Sequence, residues 1–322
     1  MKLQTNIPLE SASKQFGYED NVLLLGSCFA ENIGEKLLYH KFQTMVNPYG
    51  ILFHPLAIER VLHDVHNNTG IGEEAIFELD GIWKSFVAHS QLNSSSRGAL
   101  VDKLTKAQEQ LTKAITKASH VFITLGTAWV YQHKETNIAV ANCHKVPQKA
   151  FVKGLLPVEE IAGSLKRQCT IIKKINPKAQ VVFTVSPVRH LKDGFVENTR
   201  SKAHLISAVH TVVNANHAQY FPAYELMMDE LRDYRFYATD MLHPSQQAIE
   251  YIWERFLEVY AGVYAESSRS TKVKTTLKEV LAIQQGLSHR PFNVDSEQHQ
   301  EFLRKLRVRI AKLQQEYPHI EF

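Results

Sequence analysis

Val22-Leu23-Leu24-Leu25-Gly26-Ser27-Cys28-Phe29-Ala30-Glu31-Asn32-Ile33-Gly34 changes its period in the middle. The apolar run stops at Gly26, a serine follows at once, and apolar residues return at helical spacing through Ala30, Ile33 and Leu37. The expectation is a buried strand that turns sharply into a helix. A serine in such a turn stands beside the first backbone N–H groups of the helix, which have no intrahelical acceptor and carry partial positive charge. That environment suits an oxyanion or a phosphate, and with it nucleophilic attack on an acyl group. The same residues also make an ordinary turn with Ser27 as N-cap, and the motif alone does not separate the two readings.

Outward from this stretch, helices and strands alternate. Residues 55–67 are expected as a short helix, and residues 77–83 as a hairpin turning at Asp80-Gly81. Trp83, Phe86 and His89 then lead into the polar loop 93–98, where the aromatic side chains either pack in the core or line a pocket. Leu104, Ala107, Leu111, Ile115 and Ala118 mark an amphipathic helix over 100–119, followed at once by a strand over 120–125. Further strands are expected over 137–141, 180–185 and 221–224, and further helices between Pro157 and Pro177, over 198–218 and over 245–259. This alternation is that of an α/β domain, a parallel sheet with helices on both faces. Ligands gather at the carboxyl ends of such strands, so Ser27, Thr127, Asn142 and Ser186 are expected on one rim. A linker-like run at 267–271 precedes helices over 276–285 and 296–316, which gives a domain over 1–264 and a helical extension over 265–322. The stripe Phe302, Leu306, Ile310 and Leu313 must be covered, by the domain or by self-association.

Gly26-Ser27-Cys28-Phe29-Ala30, Asn47-Pro48-Tyr49-Gly50, Thr124-Leu125-Gly126-Thr127-Ala128, Asn142-Cys143-His144-Lys145-Val146-Pro147, Ser186-Pro187-Val188-Arg189-His190 and Asp240-Met241-Leu242-His243-Pro244 occur in this order. On these blocks the chain resembles the GSCFA family, itself similar to the SGNH/GDSL hydrolases, over about residues 20 to 262. The resemblance implies a three-layer flavodoxin-like fold and a serine esterase in which Ser27 is the nucleophile and Asp240 and His243 complete a triad. A carboxylate three residues before a histidine fixes its tautomer and leaves the other ring nitrogen for the serine. By the same resemblance the backbone N–H groups of Ser27 and Gly50 form the oxyanion hole. Gly126-Thr127-Ala128-Trp129 stands where many SGNH enzymes carry Gly-x-Asn-Asp, so the asparagine donor is missing there. Asn142, with Thr127 as second choice, is the substitute, unless each makes an ordinary turn hydrogen bond. His144 is a further polar candidate, with a structural role as the alternative, and Arg189 and His190, just beyond the rim, are candidates for contact with a polar or anionic substrate group, with a salt bridge or helix cap as the alternative. The expected substrate is a small-molecule or carbohydrate ester, O-acetyl esters included. An O-acyltransferase with the same triad, a Cys28 nucleophile, and a non-catalytic ligand-binding module are the rival readings.

Composition agrees with a globular protein: 322 residues, 44% hydrophobic and 22% charged. The net charge is +4, and residues 266–322 hold ten Lys/Arg against seven Asp/Glu, so the region of the motifs is nearly neutral and no nucleic-acid partner is expected. The first residues lack the apolar core of a signal peptide and no run reaches the roughly 18 apolar residues of a membrane span, which leads to an expected cytoplasmic location without membrane attachment. Cys28, Cys143 and Cys169 have no CxxC spacing, so neither a disulfide framework, a zinc site nor a cofactor is expected.

Overall fold

Residues 4–70, 72–215, 217–263 and 267–322 are described by the computed structural model. The strands are β1 (Asn21–Gly26), β2 (Gln43–Val46), β3 (Ile76–Leu79), β4 (Ile82–Ser85), β5 (Ala118–Leu125), β6 (Trp129–His133), β7 (Ala139–Val140), β8 (Phe151–Leu155), β9 (Gln180–Val185) and β10 (Gln219–Tyr220). Between them lie α1 (Cys28–Tyr39), α2 (Pro55–Asn67), α3 (Arg97–Lys117), α4 (Val158–Ile175), α5 (Phe195–Asn214), the single turn α6 (Ala223–Glu225) and α7 (Gln246–Tyr260). Two helices follow, α8 (Ser268–Ser288) and α9 (Glu297–Glu316). None of the helices among the described residues is long and apolar enough to cross a membrane.

The main sheet is wholly parallel in the order β10-β9-β5-β1-β2. Setting aside β3–β4 and β6–β8, which belong to separate small sheets, this is the flavodoxin-like order 2-1-3-4-5. Helices cover both faces, as expected. One core holds Leu23, Leu25, Val121, Ile123, Val181 and Phe183 against α2, α3, α4 and α5; the other holds Leu24, Phe122 and Val182 against α1 and α7. The alternation along each strand thus feeds two cores, and β-branched and leucine residues fill both faces.

Three expectations are corrected. β6 and β8 are absent from the sequence reading; β6 pairs with β7 on one side and β8 on the other in an antiparallel sheet inserted between β5 and α4. The last core strand is Gln219–Tyr220 and not 221–224, because Pro222 lacks an N–H for the ladder and the chain turns there into α6. The serine-rich run at 267–271 is no linker: Ser267 accepts from the Ser270 N–H and caps α8. The expected division between residues 264 and 265 lies outside the described residues.

The last two helices join the second core. Val273, Val280, Ile283, Leu306, Leu313, Tyr317 and Ile320 are buried with Phe16, Tyr18 and Phe29. Arg309 grips Glu279 across the helix pair at 2.7 and 2.8 Å, and Gln284 donates to the Tyr39 carbonyl at the end of α1 at 2.9 Å. The stripe on α9 is therefore covered largely by its own chain, with Phe302 at its edge still 38% exposed.

Lys202 on α5 fastens two strand ends. Its Nζ is enclosed and donates to the carbonyls of Gly126 and Ser186, each at 2.7 Å. Burial brings its ammonium down to about 7, opposed by Cys28. An unfolded lysine titrates near 10.4, so between about pH 7 and 10 the unfolded chain binds more protons at this residue and its contribution to stability rises with pH.

Denaturant titrations should show wild type gaining stability relative to Lys202→Met across that window, with no slope in the difference below about pH 6. Leu313→Ala should lower stability by about 2–5 kcal/mol and shift the whole unfolding transition, as truncation of a core leucine does; a separate early melt of the tail would contradict its place in the shared core.

Candidate active site

The turn after β1 is built by glycine. Gly26 has φ +127°, and a Cβ there would stand 2.1 Å from the Thr124 carbonyl oxygen of β5. Its N–H donates to Asn47 Oδ1 at 2.8 Å, and Leu52 N–H returns to its carbonyl at 3.0 Å. The loops after β1 and β2 are thereby locked together. Ser27 then opens α1 at its N-cap position, yet its side chain makes no cap. Its Oγ is buried without a hydrogen-bond partner among the described residues.

The two backbone donors assigned to the oxyanion hole are already engaged. Ser27 N–H donates to Thr124 O at 3.1 Å, an extension of the β1–β5 pairing, and Gly50 N–H closes a turn on Asn47 O at 2.7 Å. Gly50 is glycine because φ is +72° and because a Cβ would lie 2.4 Å from that of His89. In this arrangement neither N–H is free for an oxyanion, which corrects the expectation for Gly50.

Asp240 and His243 form a dyad before α7. Asp240 Oδ1 accepts from the N–H groups of Leu242 and His243 at 2.9 and 3.0 Å, and Oδ2 lies 2.6 Å from His243 Nδ1. These backbone N–H groups, followed by the imidazole, hold the carboxyl down to about 2, so it is charged at neutral pH. The pairing assigns the proton to Nδ1 and leaves Nε2 available. The two side chains are 48% and 45% exposed, and Ser27 Oγ makes no hydrogen bond to His243. Arg189, expected to contact substrate, instead supports this turn: its N–H donates to Leu242 O at 3.1 Å and its Nη1 to Met241 O at 3.3 Å. Its guanidinium lies against the rings of Tyr237, Phe195 and Tyr234 at 5.3, 5.4 and 6.0 Å.

A pocket of about 630 Å³ opens beside the rim. The inserted sheet supplies Trp129, Tyr131 and Val140, the following loop supplies Asn142, Cys143 and His144, and the core domain supplies Phe53, Thr127 and His190. The size suits a small organic group. Two buried histidines attach the insertion to the domain. His54 accepts the Ala57 N–H at Nδ1 and donates from Nε2 to Val140 O at 3.0 Å; burial lowers its pKa to about 4. His144 donates from Nε2 to Ser85 O and Ala88 O at 2.7 and 3.1 Å. Its ring lines the pocket, but its donor is engaged, so its role is structural as much as ligand-facing. His144 and Lys145 both sit at positive φ, 50° and 65°, and Asn142 Oδ1 accepts the His144 N–H at 2.8 Å to brace that turn. Asn142 itself is among the residues that line the pocket.

Thr127 lines the pocket, but its Oγ1 is shared with Ser201 Oγ at 3.0 Å and accepts the Trp129 N–H at 3.0 Å. Of the four residues expected on one rim, Thr127 and Asn142 reach the pocket, whereas Ser27 is enclosed and Ser186 Oγ accepts from Val188 N–H at 3.2 Å. Phe86 stacks on Phe77 at 4.2 Å in a small core and not in the pocket. Burial raises the Cys28 thiol pKa, with Glu31 adding to the effect and Lys202 opposing it, which disfavours the thiolate. Among the described residues no group of three or more His, Cys, Asp or Glu is arranged to hold a metal.

Lys202 was not singled out in the sequence, though it left a trace, a lysine on the apolar face of α5 between Asn198 and Leu205. His190 was expected just beyond the rim as a candidate substrate contact. Its ring lines the pocket, its Nε2 is buried without a partner among the described residues, and its backbone N–H is fixed to Asn198 Oδ1 at 2.9 Å.

The GSCFA family pattern matches residues 21–256, and that of the GSCFA domain protein, C-terminal domain, matches residues 280–322. No curated protein matches the sequence. Among solved structures, a protein described as a GDSL-like lipase from Parabacteroides merdae aligns with a TM-score of 0.39 and 12% identity, covering 76% of this chain and 97% of that one. An acetyl xylan esterase from the rumen bacterium Butyrivibrio proteoclasticus aligns with a TM-score of 0.40 and 10% identity, covering 79% of this chain and 64% of that one. The family match takes in the Gly26-Ser27 turn, the inserted pocket sheet and the Asp240–His243 turn, and by it the chain belongs to the GSCFA family.

Proposed function

We propose that the protein is a serine ester hydrolase acting on O-acyl esters of small molecules or carbohydrates, with Ser27, His243 and Asp240 as its triad. The observation that carries this reading is the Asp240–His243 pair, fixed at 2.6 Å with Nε2 of the imidazole left available. A dyad of this kind serves a nucleophilic hydroxyl, and Ser27 stands at the strand-to-helix turn of the same sheet end. His243 Nε2 takes the proton as Ser27 Oγ adds to the ester carbonyl. The tetrahedral intermediate collapses, the alcohol leaves with that proton, and water attacks the acyl-enzyme by the reverse assistance. Asn142 supplies an amide donor at the pocket wall, and Trp129 and Tyr131 give an aromatic surface for an acyl group or a sugar ring. If an alcohol replaces water in the second half, the same steps make an acyltransferase.

One observation favours a second reading. Ser27 is 0% exposed and both expected backbone donors are engaged, as in a ligand-binding module that kept the fold without the chemistry.

Labelling with a fluorophosphonate followed by peptide mapping separates the two. Modification of Ser27, lost in Ser27→Ala and reduced by about 10³-fold or more in His243→Ala, is the expected outcome, with loss of p-nitrophenyl ester turnover in parallel. A folded wild type that takes no label and turns over no ester would leave the binding module as the better account.

A further inference from the structure

We propose that His190 is a catalytic residue of this site, donating a hydrogen bond from Nε2 to the ester carbonyl oxygen as Ser27 adds to the carbonyl carbon. The proposal rests on the reading of Ser27 as nucleophile. The geometry that points to it lies beside Gly126. A Cβ on that glycine would fall 3.3 Å from Ser27 Cβ, 3.3 Å from His190 Nε2 and 3.1 Å from Phe53 O. Gly126 does not have positive φ; a Cβ there would be crowded by all three, so the absent side chain is what lets the serine and the histidine close in on one point. Phe53 O stands at the same point and already accepts from the N–H groups of Gly126 and Thr127 at 2.8 and 3.1 Å. Ser27 Oγ and His190 Nε2 are both buried and both without partners among the described residues. A buried polar atom left unpaired is costly, and two that converge beside one glycine are paired most simply by a ligand group that reaches both.

Charge agrees with the role. Burial, then the Lys202 ammonium and His243, bring His190 down to about 3, so at neutral pH its imidazole is uncharged. An uncharged imidazole makes a poor base but a good preorganised donor, and it leaves the proton transfer to His243. The donor also fills the place of the backbone N–H groups of Ser27 and Gly50 that the fold has engaged. In the step itself, the Ser27 Oγ–H proton passes to His243 Nε2 and the Oγ–C bond forms. The carbonyl π pair moves onto oxygen, where the His190 N–H meets it. Collapse returns the pair and expels the alcohol with the proton held by His243. His190 also lines the pocket, which gives the ester a place to sit beside the imidazole.

Gln and Met are similar in shape and differ in carrying an N–H donor, so His190→Gln and His190→Met are compared with wild type on a p-nitrophenyl ester and in the rate of fluorophosphonate labelling. The expected result is a loss of about 10²–10³-fold in kcat for His190→Met with KM changed less than about threefold, at least tenfold of it restored in His190→Gln, and an acid limb of the pH–rate profile that stays in place. Equal kcat in His190→Met and wild type overturns the proposal, as does equal loss in both variants with displacement of the acid limb, which would make His190 the base. Circular dichroism checks that each variant is folded. Ser27→Ala is run alongside: full activity there removes the nucleophile reading and this proposal with it, whereas an inert Ser27→Ala beside a fully active His190→Met removes this proposal alone. A wild type neither labelled nor active overturns both.

Discussion

The missing side chain at residue 26 is the constraint on which the carboxyl edge of the sheet depends. β1 and β5 run parallel at hydrogen-bonding distance, and a Cβ on Gly26 would meet the Thr124 carbonyl at 2.1 Å. Only glycine lets the chain leave β1 at φ +127° and remain within reach of that carbonyl, which the Ser27 N–H then uses. The start of α1, the Asn47 side chain that receives the Gly26 N–H, and the Phe53 carbonyl that receives two N–H groups from β5's end all follow from this close approach. The result is a rim in which backbone donors are consumed by backbone and side-chain acceptors, and whose free polar atoms belong to side chains.

That division bears on the chemistry. In a helix-start site the usual donors to a developing oxyanion are main-chain N–H groups, fixed by the fold at no cost in reorganisation. Here those groups serve the fold, and Ser27 Oγ and His190 Nε2 are among the buried side-chain atoms left unpaired. Lys202 adds a buried cation that joins the ends of β5 and β9 through two carbonyls, holding Gly126 and Ser186 at a fixed spacing. It also depresses the basicity of the neighbouring imidazole. Packing and electrostatics at the rim are thus the work of the same residues.

Much of this was legible in the sequence. The strand-to-helix turn at 22–34, the α/β alternation and the strand at 180–185 follow from hydrophobic period alone, because strands buried on both faces read as continuous apolar runs. The β6–β8 sheet was legible only at β7, inside the expected strand 137–141; Trp129–His133 and Phe151–Leu155 are short, and Lys153 and Gly154 interrupt the second. The serine-rich start of α8 was misread because serine serves both linkers and caps, and only the Ser270 N–H shows which. At the site, the Asp240–His243 spacing carried its own geometry. His190 was legible only as a residue beyond the rim in reach of substrate; its place beside Gly126 and Ser27 was not, because these are far from it in sequence and meet it only after the sheet has formed. Arg189 was read as a substrate contact for the same reason in reverse, since its partners Met241 and Leu242 come from a turn some fifty residues on.

The pocket wall and the Ser27 and Asp240–His243 turns come from different stretches of chain. Ser27 and the Asp240–His243 turn are set by the main sheet and its flanking helices, whereas most of the pocket wall is one continuous excursion from Trp129 to Leu155 that leaves after β5 and returns before α4. Polar contacts of His54 and His144 anchor it to the domain, and Val130 and Ala141 pack into the main core. On the proposed function, such a layout makes selectivity an interchangeable cassette: recombining this single segment between relatives would exchange the pocket wall while Ser27 and the Asp240–His243 turn stay where they are.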